Sequence, residues 1–288
     1  MNYRHAFHAG NFADVVKHAV LCRVLVHLLQ KPAPFRVIDS HAGSGLYNLS
    51  GTPAQKTGEW RGGIGRLLGE AAAPLPAAAG ALLAPYLDAV RSFNPPGRLT
   101  AYPGSPALAL RLMRRHDRVV ACELEPQAAA ALQRALRGDP RARAVAIDGW
   151  TALGAYVPPN ERRGLVLIDP PFEQPDEYSR LVNGFAAAYR KWPTGSYLLW
   201  YPVKNASDVH AFVRKLGRLA VAKMLRAELI LAKGSEISGL RGCGLIAVNP
   251  PWTFRDELGV LMPALAEVLG RGGKAQTVVD WIADENAR

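Results

Sequence analysis

From residue 100 onward the chain alternates short apolar runs with amphipathic stretches, and the early runs stop at acidic residues. Val119-Val-Ala-Cys-Glu123, Ala144-Val-Ala-Ile147 leading into Asp148-Gly149, and Leu165-Val-Leu-Ile168 leading into Asp169 read as strands. Gln127 to Leu136 and Glu177 to Lys191 read as helices, and Ser196 to Tyr201, Met224 to Leu231 and Gly244 to Val248 as further strands. Short, continuously apolar strands alternating with helices predict a largely parallel sheet covered on both faces, an α/β fold. Open sheets of this kind bind ligands outside the carboxyl ends of their strands, near the point where strand order reverses. The acidic strand ends therefore mark where a site is expected.

The first part of the chain opens the same architecture. Asn11 is placed to cap a helix with apolar spacing at Val15, Val16, Ala19, Val20, Val24 and Leu28, with Asp14 in its first turn and its end near Gln30. Phe35-Arg-Val-Ile-Asp39 then runs into Ser40-His-Ala-Gly43-Ser-Gly45, a strand followed by a glycine-rich turn. Residues 51–100 hold Gly62-Gly63, an Ala/Pro-rich patch and Asn94-Pro-Pro-Gly97. They are expected to form a helical insertion beside one domain made of residues 1–50 and 101–288. Gly104-Ser-Pro106 opens a helix expected to run through Arg115, with proline in its first turn.

Thirty-five Lys plus Arg against 24 Asp plus Glu leave a net charge of +11, which favours a polyanionic partner such as nucleic acid. Cys22, Cys122 and Cys243 form no CxxC pair, so neither a disulfide framework nor a zinc knuckle is expected, and the default setting is a reducing cytoplasm. The apolar stretch Val15 to Leu29 is interrupted by Lys17, His18, Arg23 and His27, which excludes a membrane span or a signal peptide there. A basic surface disfavours self-association, and a monomer is expected.

The acidic strand ends suit a nucleoside cofactor. Glu123 can accept from both ribose hydroxyls, and Asp148 can face an exocyclic adenine amine. The loop at 39–45 lacks the GxGxxG spacing that lets a pyrophosphate approach a helix N-terminus. Glu123 also lies far beyond the roughly 20 residues that separate glycines from the ribose acid in a dehydrogenase. Both departures favour S-adenosylmethionine, whose sulfonium cation tolerates acidic neighbours.

Ile168-Asp-Pro-Pro-Phe172 is the most specific motif. An exocyclic base amine has its lone pair delocalised into the ring and is a poor nucleophile. The Asp169 carboxylate and the Pro170 carbonyl can both accept from it, aiming its lone pair at a methyl donor held in line. The two prolines stiffen the loop, and Phe172 is placed to stack on an extruded base, an interaction worth about 1–3 kcal/mol. Asn249-Pro-Pro-Trp252 carries similar chemistry. It follows a late strand expected at the sheet edge, so it is read as a structural turn with a packed Trp, and Asp169 as the catalytic group. Near the N-terminus, Lys17 and His18 are expected to line the cofactor cleft, with Tyr3 and Arg4 approaching RNA. His5, His8 and His18 lack the partners of a metal site, and no metal is expected.

Taken together, Tyr3-Arg-His-Ala-Phe-His-Ala-Gly-Asn11, Ala13-Asp-Val-Val-Lys-His18, Asp39-Ser-His-Ala-Gly-Ser-Gly45, Tyr102-Pro-Gly-Ser-Pro106, Ile168-Asp-Pro-Pro-Phe172, Leu199-Trp-Tyr-Pro202 and Asn249-Pro-Pro-Trp252 resemble the RlmJ family across nearly the whole chain. The resemblance implies a Rossmann-like class I methyltransferase fold with a small helical insertion. It also implies S-adenosylmethionine-dependent methylation of adenine N6 in 23S (large-subunit) ribosomal RNA not yet assembled into ribosomes. Carried over by position, cofactor contacts fall on Lys17, His18, His41, Ser105, Glu123, Asp148, Gly149 and Asp169. The catalytic carboxylate falls on Asp169, and an RNA-contacting tyrosine on Tyr3. Phe172 stands where the family often has Tyr, so a phenolic hydroxyl is not essential there. The competing readings are a DNA amino-methyltransferase, against which the lack of an evident DNA-recognition segment argues, and a catalytically silent RNA-binding protein, against which the intact Asp169 argues.

Overall fold

The computed structural model describes residues 4–70, 72–232, 239–270 and 275–284. In chain order the elements are α1 (Phe12–Leu29), β1 (Arg36–Asp39), β2 (Leu46–Asn48), α2 (Thr52–Thr57), α3 (Gly65–Leu68), α4 (Ala77–Arg91), β3 (Ala101–Pro103), α5 (Ser105–Leu112) and β4 (Arg118–Glu123). They continue with α6 (Pro126–Ala135), β5 (Ala142–Ala146), α7 (Gly149–Tyr156), β6 (Gly164–Ile168), α8 (Glu177–Lys191), β7 (Ser196–Val203), α9 (Ala206–Gly217), β8 (Met224–Ile230), β9 (Gly242–Val248), α10 (Phe254–Leu269) and β10 (Gln276–Ala283).

Among the described residues the main sheet runs β10-β8-β9-β7-β6-β1-β4-β5. From β5 to β7 all neighbours are parallel, whereas β9 is antiparallel to both β7 and β8, and β10 is antiparallel to β8. The chain moves outward from β1 to β4 and β5, then returns to β6 on the other side of β1. That reversal opens a crevice at the carboxyl ends of β1 and β6. The largely parallel α/β sheet expected from the alternation is present, with helices on both faces.

Side chains alternate cleanly between the two faces, as the two-residue strand period requires. Val37, Leu165, Leu167, Leu198, Leu245 and Ala247 join the core under α1, α4, α5 and α10. Ile38, Val166, Ile168, Leu199, Ile246 and Val248 join the core under α8 and α9. Ile64, Leu83, Tyr86 and Leu87, from the segment between β2 and β3, belong to the first of these cores. The small antiparallel sheet of β2 and β3 brackets that segment.

Three expectations need correction. β9 is not at the edge: hydrogen-bonding partners flank it on both sides, because the chain places β8 outside it before β9 returns inward. Trp252 is not packed but 87% exposed. The helix opened by Ser105 ends at Leu112, where Met113 turns extended, short of Arg115. The strands β2, β3 and β10 and the helices α7, α9 and α10 were not separately expected.

Asn11 caps α1 as anticipated, its Oδ1 accepting from the backbone N–H of Ala13 and Asp14 at 3.0 Å each. The helix is buried on nearly every side, including its polar residues Asp14, Lys17 and His18.

Candidate active site

The crevice begins at the end of β1. Asp39 is fully buried, and its Oδ2 accepts from the Ser105 hydroxyl at 2.5 Å, while Oδ1 has no hydrogen-bond partner among the described residues. Burial pushes its pKa up to about 7, with the nearby Asp169 adding to the rise and Ser105 and Lys17 opposing it. An acid with a raised folded pKa binds its proton more tightly folded than unfolded. Its stability contribution is therefore greatest at low pH and is lost as pH climbs from about 4 through 7. Asp39→Asn removes this dependence. Its melting temperature relative to the parent should rise between pH 5 and pH 8, with a stabilising difference on the order of a few kcal/mol at the upper end. A pH-independent difference by calorimetry would refute this account of Asp39.

Next along the loop, the Ser40 hydroxyl bonds the Leu167 carbonyl and pairs with His41 Nδ1 at 2.8 Å. Burial lowers the His41 pKa to about 4, so the ring is neutral at physiological pH. His41 packs edge-on to Trp150, and Gly149 lies flat against it: a Cβ there would stand 2.4 Å from the Ser40 carbonyl and 2.5 Å from the imidazole. Only glycine permits this contact between the ends of β1 and β5. It is a packing reason for Gly149 that spacing alone did not reveal.

Glu123, at the end of β4, accepts from the Gly43 N–H at 2.9 Å and the Glu125 N–H at 2.8 Å, one on each oxygen. These bonds fix the carboxylate plane while leaving lone pairs for two more donors. Asp148 caps α7, its Oδ2 accepting from the Thr151 N–H at 2.8 Å and hydroxyl at 3.0 Å.

Asp169, at the end of β6, is tied to α1. Lys17 Nζ donates to Asp169 Oδ2 at 2.6 Å and contacts Asp14 Oδ1 at 2.8 Å, so one buried ammonium joins two carboxylates. Asp14 also accepts from the Gly10 N–H and from His5 Nε2, both at 2.9 Å. Against burial, the charges of His5 and Lys17 hold Asp14 well below the usual carboxylate range. Against burial, Asp14 and Asp169 hold Lys17 well above its ordinary value. His18 is neutral, its pKa lowered by burial and by Lys17. Its Nδ1 is 2.7 Å from the Tyr102 hydroxyl, which meets Tyr86 at 3.0 Å. His18 Nε2 is buried without a partner among the described residues.

Pro170 is buried behind Asp169. Phe172 has a φ of +51°, a conformation bulky residues rarely adopt, and its ring stands edge-on to Tyr178 and Trp200. Arg4 is exposed, and Tyr3 lies outside the described residues. His5 and His8 are engaged by Asp14 and Glu59. Sequence reasoning treated Asp14 only as a first-turn carboxylate and gave Asp39 and Tyr102 no task. The i,i+3 spacing of Asp14 and Lys17 within an otherwise apolar helix was the available signal for the first.

Asn249 is elsewhere. β9 runs backward, so its carboxyl end is level with the start of β7, Val248 pairing with Tyr197, whereas Ile168 pairs with Leu199. Asn249 thus sits about 13 Å below Asp169 along the strand direction, four residues at about 3.3 Å each. Its Nδ2 donates to the carbonyls of Pro193 and Gly195 at 2.8 Å, and its φ is +49°. Asn249→Ala should therefore destabilise the fold by about 1–3 kcal/mol and leave methyl transfer unchanged. Denaturant melts beside activity assays on the folded variant would check both halves.

The residues fit S-adenosylmethionine. The crevice offers carboxylate acceptors at the ends of β4 and β5 for hydroxyl and amine donors, and a buried unpartnered oxygen on Asp39 suited to a cation. Its loop lacks the glycine spacing that cradles a pyrophosphate. A sheet with this strand order, a reversed strand beside β7 and an acidic crevice defines a class I S-adenosylmethionine-dependent methyltransferase. Residues 32–283 match the family described as ribosomal RNA large subunit methyltransferase D, RlmJ. The chain is 38% identical over 285 residues to ribosomal RNA large subunit methyltransferase J of Escherichia coli K12, covering 99% of this chain and 100% of the relative. It is 36% identical to the protein of the same name from Haemophilus influenzae, with the same coverage. The crystal structure of protein LPL1258 from Legionella pneumophila superposes with a TM-score of 0.86 at 33% identity, covering 97% of this chain and 99% of that one. The chain belongs to the RlmJ family.

Proposed function

We propose that this protein methylates N6 of an adenine in 23S ribosomal RNA, acting as a cytoplasmic monomer on RNA not yet assembled into ribosomes. The observation that carries the reading is Asp169 at the strand-order reversal, in an Asp-Pro-Pro-Phe loop, with its Oδ2 engaged by Lys17. The names of the E. coli and H. influenzae relatives support the substrate class.

S-adenosylmethionine supplies, when bound, an electrophilic methyl group on a sulfonium. Glu123, held by two backbone N–H groups, is oriented to accept from ribose hydroxyls. Asp148 and the neutral His41 would hold the cofactor's adenine, Asp39 and Ser105 its methionine part, and Lys17 and His18 would line the cleft from α1. With Oδ2 engaged by Lys17, Asp169 keeps Oδ1 to accept from the target amine, and the Pro170 carbonyl is the second acceptor. Together they draw the amine lone pair out of conjugation and toward the methyl group. Asp169 or solvent takes the surplus proton after transfer. The target base must leave its stack first, at a cost of a few kcal/mol that is smaller in a loop.

Transfer of labelled methyl to unmodified large-subunit ribosomal RNA, assembled large subunits and DNA tests the proposal. N6-methyladenosine in the free RNA, and little in assembled subunits, is expected. RNA affinity should fall steeply with salt as phosphate contacts release counterions. Methylated DNA alone would overturn the substrate, and equal labelling of assembled subunits would overturn the timing.

A further inference from the structure

A cleft of about 450 Å³ lies beside Phe172, between α9 and the loop that leads from β6 into α8. Its volume is within the range of small-molecule sites, about 300–1,000 Å³. Phe172 and Tyr178, both part-buried, form its aromatic wall with the buried Phe212 packed behind them, and Lys204 and Lys215 are exposed at its margin beside Glu173 and Asp208, with Lys215 Nζ 3.0 Å from the Ser179 hydroxyl. Lys17, Asp39, His41, Glu123, Asp148 and Asp169 are all outside its lining. It is therefore a neighbour of the reaction centre with Phe172 as the shared wall.

We propose that this cleft receives the nucleotide adjoining the target adenosine in the RNA strand, a reading that rests on the proposed function. Three observations point to that occupant. Aromatic rings accept a base face without regard to sequence. Exposed Lys204 and Lys215 at the margin suit a backbone phosphate, with Asp208 on the same margin engaged by Asn205. The cleft also begins where the target base must end, at Phe172, so a strand with one nucleotide drawn toward Asp169 brings its neighbour here. The Leu199-Trp-Tyr-Pro202 motif gains a purpose: Trp200 braces Phe172, and the Pro202 carbonyl accepts from the Tyr178 hydroxyl at 2.6 Å, fixing the aromatic wall.

The test compares the parent with Ala211→Trp, which fills the cleft from α9, and Lys204→Ala, which removes one exposed cation. The substrates are RNA fragments carrying the target, intact or abasic at single positions on either side of it. Ala211→Trp should raise KM for intact RNA on the order of 10-fold with kcat and S-adenosylhomocysteine binding unchanged, and Lys204→Ala should raise it several-fold. One flanking abasic position should raise KM similarly and add nothing to Ala211→Trp. Should Ala211→Trp fail to fold, Lys204→Ala with the same abasic series decides. Unchanged KM, or additive effects at every flanking position, would overturn the cleft assignment while leaving RNA methylation standing. A fall in kcat at constant KM would put the target base itself there, also overturning it. No transfer by the parent would instead refute the underlying function, and the cleft proposal with it.

Discussion

Asp169→Asn is expected to slow methyl transfer by about 10²–10³, the usual loss when one preorganised polar group is removed from a reacting centre. Cofactor affinity should change little. The reason lies in the geometry around Lys17. Its ammonium requires an acceptor, and in the parent Asp169 Oδ2 supplies it at 2.6 Å. In the variant the single carbonyl oxygen of the introduced side-chain amide turns to Lys17, and the amide NH2 faces the target amine, setting donor against donor. The substitution preserves shape and the Lys17 hydrogen bond but removes one charge from a buried pair, so a drop in melting temperature smaller than that of Lys17→Met accompanies the loss, and rates are compared on the folded variant. Single-turnover kinetics at saturating cofactor isolate the chemical step. A rate within tenfold of the parent would remove Asp169 from the chemistry.

Lys17→Met carries the largest expected effect on stability. The Lys17 side chain is 6% exposed and joins Asp14, 3% exposed, to Asp169. Removing the cation leaves buried carboxylates uncompensated, and breaking a buried pair in this way costs about 3–5 kcal/mol. The melting temperature should fall on the order of 10 °C. Adding Asp14→Asn should return part of that loss, because it removes one stranded charge, although His5 and the Gly10 N–H then lose a charged acceptor. A double-mutant cycle measures the coupling directly. Simple additivity of the two changes would show that the triad does not act as a unit.

The legible part of this protein was local. Asn11 capped its helix because a short polar side chain before an apolar periodic run has one good use. The strands of the parallel half were readable from unbroken apolar runs, and their acidic ends from simple position. The Asp-Pro-Pro-Phe loop was where it was expected, directly after an apolar strand, and that strand lies beside β1. The ring of Phe172 is braced by Tyr178 and Trp200, residues from α8 and β7 that no local pattern ties to it.

Trp252 shows the limit of reading burial from residue type. Its apolar area suggested packing, but the turn fixed by Pro250 and Pro251 leaves it in solvent, and hydrophobicity does not by itself dictate location. The segment 51–100 shows the opposite. It looked like an excursion beside the sheet, yet Ile64, Leu83 and Tyr86 enter the same core as α1 and α5.

By itself, the sequence determined the class of fold and the strands of its parallel half with their acidic ends, because periodicity, capping and motif chemistry act over a few residues. The direction of β9 was decided only by the tertiary structure, and with it the removal of Asn249 to the far end of the sheet. So were the closure of Lys17 between Asp14 and Asp169 and the contact that requires Gly149. Each of these joins residues distant in the chain, and a local pattern carries no information about which partner a buried strand or a buried charge will meet.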